Sequence, residues 1–130
     1  MICENITIGA NGHLHFAGQD TVALAKQYGT PLYLLDEDYI RHQCRVYQNA
    51  FKKHFGPSSR PLYASKAASF RRIYQIMAEE GMGVDVVSSG ELYTALSAGF
   101  PAEKIYFHGN CKTDADLTLG VQRGIGCFIV

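Results

Sequence analysis

A lysine that directly follows a short apolar run and is set among small residues can do amine chemistry, and Leu62-Tyr63-Ala64-Ser65-Lys66-Ala67-Ala68-Ser69 is such a stretch. Apolar surroundings strip water from an ammonium, so its pKa falls and the neutral amine becomes a nucleophile toward an aldehyde. Lys66 is therefore the candidate Schiff-base residue. The same eight residues also suit a lysine that lays its stem along a strand end and keeps its charge in water. Three further groups recur after apolar runs. Asp85 stands among Val84, Val86 and Val87, where an unpaired carboxylate is costly to bury. It calls for a cation, which a Schiff-base nitrogen or Lys66 itself would supply. Ser88 and Glu91, three apart, close a capping box and read first as helix caps, a role that can coexist with ligand binding. His108, beside Gly109, Asn110 and Lys112, fits a loop histidine as well as a site histidine.

Positioning these groups takes a repeated strand and helix. Residues 32–35 are apolar, and Asp36, Glu37 and Asp38 put negative charge where the next helix dipole favours it. That helix carries Ile40, Cys44, Tyr47, Phe51 and Phe55 in one stripe. Residues 62–64, 84–87 and 105–107 read as strands, and residues 124–130 begin another. Between them Phe70, Ile73 and Met77 mark one helix face, Ser88 opens a helix through Leu92, Ala95 and Leu96, and Thr113 with Asp116 can cap the last, through Leu117 and Val121. Strand starts near residues 32, 61, 84, 105 and 126 recur at roughly 20 to 30 residues, the length of a strand, loop, helix and loop. Such alternation implies parallel pairing. A doubly wound sheet would want a glycine-rich turn after its first strand, but Asp36-Glu37-Asp38 would repel a phosphate. The expected fold is therefore α/β, a partial (β/α)8 TIM-like barrel broken off after about five strands, with chemistry at the carboxyl ends.

Residues 1–27 stand outside this repeat. Residues 6–17 alternate with a turn at Gly9, Asn11 and Gly12, a strand or hairpin. A short helix follows from Thr21 to Tyr28, capped by Asp20 or Thr21, with Val22, Leu24 and Ala25 inward and Gly29 past its end. The expected division is this leading segment, residues 1–27, and an incomplete barrel over residues 28–130.

The 130 residues are 47% hydrophobic and 18% charged, enough for one core, and 12 basic residues balance 12 acidic ones. A neutral balance gives no electrostatic draw to nucleic acid or an acidic membrane. No run approaches a transmembrane length, and Met1-Ile2-Cys3-Glu4-Asn5 lacks the basic start of a signal peptide, so a cytoplasmic location is expected. Cys3, Cys44, Cys111 and Cys127 form no C-x-x-C pair, so free thiols and no metal site are expected.

Four stretches together resemble the amino-terminal part of diaminopimelate decarboxylases, fold-type III pyridoxal-phosphate enzymes of the alanine-racemase-like barrel. They are Tyr28-Gly29-Thr30-Pro31-Leu32-Tyr33, Tyr63-Ala64-Ser65-Lys66-Ala67, the run from Gly83 to Leu92, and Phe107-His108-Gly109-Asn110-Cys111-Lys112. The resemblance implies that Lys66 carries pyridoxal 5'-phosphate, that Asp85 and His108 line the cofactor site and that Glu91 helps to hold it. It implies decarboxylation of meso-2,6-diaminopimelate to L-lysine by a cytoplasmic homodimer. The leading strand would join a second, β-rich domain. Ser65, Ala68 and Cys111 depart from the usual residues but leave the lysine in place. The family's phosphate loop, its acid for the pyridine nitrogen, and the cysteine and tyrosine contributed across a dimer all come from later sequence, so residues 1–130 alone are expected to be inactive. Ornithine, arginine or carboxynorspermidine decarboxylases of the same fold are the near alternative, and a non-catalytic half-barrel binding cofactor or a partner is the distant one.

Overall fold

A computed structural model describes residues 3–130, so Met1 and Ile2 of the expected non-signal start lie outside the described residues. The chain forms two compact units, Met1–Ile40 and Arg41–Val130.

In the first unit, strands β1 (Ile6–Ile8), β2 (Leu14–Phe16) and β3 (Gln19–Asp20) form an antiparallel sheet in that order, followed by helix α1 (Thr21–Tyr28). Ile6 pairs with Phe16 and Ile8 with Leu14, which puts the four apolar residues on one face, as their alternation requires. The Gly9 amide donates to His13 and the Gly12 amide to Gly9 across the expected turn. Asp20 caps α1 by accepting from the Val22 and Ala23 amides. Its carboxyl is held far below its ordinary range, first by the hydrogen bond with His13 and also by those amides and Asn11. Residues 32–35 form no strand. Apolar composition marks a segment that could fit a pleated surface, but a strand exists only in a ladder, and here no ladder partner is present among the described residues. Asp36 accepts from the Tyr39 amide and from the Asn5 side chain, capping helix α2 (Glu37–Phe55).

The second unit holds a four-stranded parallel sheet in the order β4 (Leu62–Ala64), β5 (Gly83–Val86), β6 (Ile105–Phe107) and β7 (Cys127–Phe128). Helices α3 (Arg71–Glu79), α4 (Ser89–Ser97) and α5 (Asp114–Gln122) make the crossovers. Spatial order equals chain order, so these strands contain no reversal and hence no switch-point crevice. The register sets Val84 level with Tyr63 and Ile105, and Val86 with Phe107, which is itself level with Phe128. Val84, Val86, Ile105 and Phe107 are fully buried on one face of the sheet; α3 and α4 pack against β5, and their Ile73, Tyr74, Met77, Leu92 and Ala95 are also buried. Each of the larger apolar side chains among them contributes about 2 kcal/mol on removal from water. Leu62, Ala64, Asp85, Tyr106 and Cys127 occupy the opposite face, and none of them is fully buried among the described residues.

Two helix faces differ from expectation. Phe70 is the extended N-cap residue of α3 rather than part of its face. On α2 only Cys44 is buried, with its Sγ 3.7 Å from Met77 Sδ, while Tyr47 and Phe55 are exposed. Periodicity gives the direction of an apolar stripe, not how much of it a neighbour covers. Charge ties α2 to the end of α3 instead: Arg41 and Arg45 both donate to the nearly buried Glu80 carboxylate at 2.8–2.9 Å, and Arg41 also pairs with Glu79. The Gln48 amide donates to the Glu80 carbonyl.

The two guanidinium groups, Arg45 first, hold the Glu80 carboxyl below its ordinary 4.5. Its contribution is therefore present above that value and lost as pH falls through the lowered one. Glu80→Gln is expected to destabilise the protein by about 2 kcal/mol at neutral pH, and the gap to wild type should narrow on acidification below 4.5, read by calorimetry across pH.

Candidate functional site

Lys66 lies in a 3-10 turn, Ser65–Ala67, immediately after β4 and packed beside β5. The sequence thus located the lysine at a strand's carboxyl end. Its expected apolar enclosure is not supplied by the described residues: Lys66 and Ala67 are exposed, and the ammonium has no hydrogen-bond or ion-pair partner among them. The turn is anchored from both sides. Ser65 is fully buried, and the Tyr63 hydroxyl donates to the Ala68 carbonyl at 2.9 Å, closing the turn over β4. Burial raises the Tyr63 phenol above its ordinary value, which keeps it a donor. Sequence reasoning missed this anchor, because a tyrosine in an apolar run signals packing rather than a partner five residues on.

Asp85 is level with Ala64 on β4 and Tyr106 on β6, one step short of the turn that carries Lys66. Its Oδ1 is buried without a hydrogen-bond partner, and its Oδ2 lies 3.8 Å from His108 Nδ1. The cation that Asp85 calls for is thus, among the described residues, only an approaching imidazole. His108 follows β6 directly, is half-exposed, and its amide continues the ladder to the Val86 carbonyl at 2.8 Å. Asp85 and His108 are therefore brought together at the ends of neighbouring strands.

Glu91 acts in a different way. Ser88 Oγ accepts from the Glu91 amide at 3.2 Å, as a cap should, but the carboxylate returns to the Val87 amide at 2.7 Å, one residue ahead of the cap. It fixes the end of β5 and the start of α4 together. Thr113 and Asp116 form the complete reciprocal box at α5. Gly109 adopts a φ of +114°, and a Cβ there would lie 3.1 Å from the Val87 carbonyl oxygen. This close approach brings the loop after β6 against the end of β5. A cavity of about 440 Å³ opens nearby, lined by His108, Gly109, Asn110, Lys112, Ile129 and others.

A free amine at the end of one strand and a carboxylate with one unpartnered oxygen on the adjoining strand suit a ligand that carries both an aldehyde and a group able to donate to that oxygen. Among the described residues no group of histidine, cysteine and acidic side chains could hold a metal ion. The pyridoxal-binding domain of pyridoxal-dependent decarboxylases matches residues 37–130. The chain belongs to this family. Pyridoxal phosphate is accordingly the cofactor, and its aldehyde is one that a free amine such as Lys66 could take up. Diaminopimelate decarboxylase of Bacillus methanolicus is 48% identical over 123 residues, which is 95% of this chain and 28% of that enzyme. The crystal structure of diaminopimelate decarboxylase from M. jannaschii in complex with L-lysine aligns over 98% of this chain and 30% of its own, with a TM-score of 0.84 and 34% identity. Lysine/ornithine decarboxylase from Vibrio vulnificus, complexed with putrescine, aligns over 85% of this chain and 29% of its own, with a TM-score of 0.73 and 32% identity. The chain thus spans under a third of the length of these pyridoxal-dependent decarboxylases. No helix among the described residues is long and apolar enough to cross a membrane.

Gly109→Ala should cost about 1–3 kcal/mol through the positive φ and the contact with Val87. Gly124→Ala, at φ +65° with nothing near its added methyl, should cost less, about 1 kcal/mol. Equal losses in thermal unfolding would mean that the close approach carries no weight.

Proposed function

We propose that this chain is the lysine-bearing part of a cytoplasmic, homodimeric diaminopimelate decarboxylase that converts meso-2,6-diaminopimelate to L-lysine and carbon dioxide. The observation that carries the reading is Lys66, an amine at the carboxyl end of β4 unpartnered among the described residues, with Asp85, whose buried Oδ1 has no hydrogen-bond partner, on the adjoining strand. In it, Lys66 holds the cofactor covalently, Asp85 and His108 line the site, and Glu91 keeps the end of β5 in place. Bound pyridoxal phosphate supplies an electron sink for the pair left on the α-carbon when the carboxylate departs. Asp85, fixed in the ladder, offers its free oxygen to a positively charged nitrogen and so favours the charged form. His108 is half-exposed, so its ring faces the site from the next strand while it stays 3.8 Å from Asp85. The net reaction breaks one carbon–carbon bond, releases carbon dioxide and places a proton on the same carbon.

The sequential parallel sheet supports a sector of a (β/α)8 barrel over residues 28–130. The exposed Ile8 and Leu14 on the leading sheet support a leading strand that joins a second, β-rich domain. The 48% identity to the Bacillus methanolicus diaminopimelate decarboxylase, against 32% to the Vibrio vulnificus lysine/ornithine decarboxylase, supports diaminopimelate over ornithine as substrate.

The test uses the full-length protein. Borohydride reduction followed by peptide mapping should place the cofactor on Lys66, and Lys66→Ala should take up none covalently. A wild-type adduct on another lysine would remove the assignment. Product analysis should give L-lysine from meso-diaminopimelate and no putrescine from ornithine. Residues 1–130 alone should release no carbon dioxide; release by that piece would show that it holds the cofactor without the family's later phosphate and pyridine anchors.

A further inference from the structure

Lys112 stands where helix electrostatics do not want a cation. It directly precedes Thr113, the N-cap of α5, and the positive end of a helix dipole repels an ammonium. It pairs with no carboxylate among the described residues. Its Nζ donates instead to two carbonyls far apart in sequence, Gly109 at 2.6 Å and Ile129 at 2.7 Å. Gly109 belongs to the loop after β6 that carries His108, and Ile129 lies on the chain leaving β7. Each segment is also pinned to its neighbouring strand, His108 by its amide to the Val86 carbonyl and Ile129 by its amide to the Phe107 carbonyl at 3.0 Å. Beyond the last rung of the β6–β7 ladder, Lys112 is the group that joins them, and both segments line the cavity described above.

We propose that Lys112 is a positioning residue whose ammonium ties the loop of residues 108–110 to the segment after β7, so that the cofactor-facing ends of β6 and β7 behave as one wall. The inference rests on the proposed reading of these strand ends as the cofactor site. An ammonium has three donors, and two charged hydrogen bonds to neutral carbonyls are stronger than the bonds a neutral side chain would make there. A side chain without the charge fills the same space but leaves two carbonyls to water and the two segments free to part.

The experiment compares wild type, Lys112→Met and Lys112→Arg in the full-length protein, reading hydrogen exchange of the cofactor-free form and, separately, affinity for pyridoxal phosphate. In Lys112→Met, the amides of residues 108–112 and of residues 129–130 should exchange about tenfold faster together, with α3 unchanged. Cofactor affinity should fall about tenfold in parallel, and Lys112→Arg should recover most of both. Loosening of one segment alone, of neither, or of both without loss of affinity would overturn the proposal. If Lys112→Met also loosens α3, the milder Lys112→Gln decides on the same criterion: joint loosening of the two segments alone upholds the tie, and any other pattern overturns it. Exchange in the cofactor-free form does not depend on the wild type trapping cofactor at Lys66, so failure of the functional reading and failure of this inference give different results.

Discussion

The two faces of the parallel sheet are not equivalent, and the placement of every polar group at the candidate site depends on that difference. Side chains alternate along a strand, so once Val84 and Val86 are buried on the face that α3 and α4 cover, Asp85 can only point the other way. A slip of one residue in β5 would bury a carboxylate under two helices and expose two valines. The hydrophobic helices thus fix the register, and the register delivers Asp85 to the face it shares with Ala64 and Tyr106.

Strand ends need a second device, because ladders stop where chemistry starts. Here the backbone pairing runs one residue past the strands, through the His108 and Ile129 amides, and side chains finish the job. Glu91 holds Val87 and Tyr63 closes the lysine turn. These are local bonds between groups few residues apart, so they cost little chain entropy to form. They also leave Lys66 itself uncommitted. A reactive amine tied into such a bond would have to break it before meeting a ligand.

Much of this was legible from residue order. Residues 105–107 form the expected strand, Asp20 caps α1, and Thr113 with Asp116 forms its box, because caps and short buried strands are decided by local chemistry. The lysine's address at the end of β4 followed from the same repeat. What failed depended on neighbours. Residues 32–35 have strand composition without a ladder, the α2 stripe carries exposed Tyr47 and Phe55, and Lys66 lacks the enclosure its small neighbours suggested. Composition reports what a segment would bury if something were there to bury it against. Glu91 shows the converse, since the spacing of a capping box was right while the carboxylate reaches Val87 rather than Ser88.

Asp85 carries the sharpest tension in the structure. A buried oxygen without a partner costs about 1–3 kcal/mol, and two valines on either side offer it nothing. Relocating the carboxylate to the end of the strand would let water satisfy it, so its place inside β5 is a cost the fold holds rather than avoids. A donor that reaches this oxygen would return that cost, and a positively charged one would return most, because a charge-assisted hydrogen bond is stronger than one from a neutral donor. Such an oxygen would therefore favour a charged donor over a neutral one of the same shape. His108 Nδ1, 3.8 Å from the other oxygen, lies beyond hydrogen-bond distance, so the imidazole does not take up the acceptor that burial leaves open.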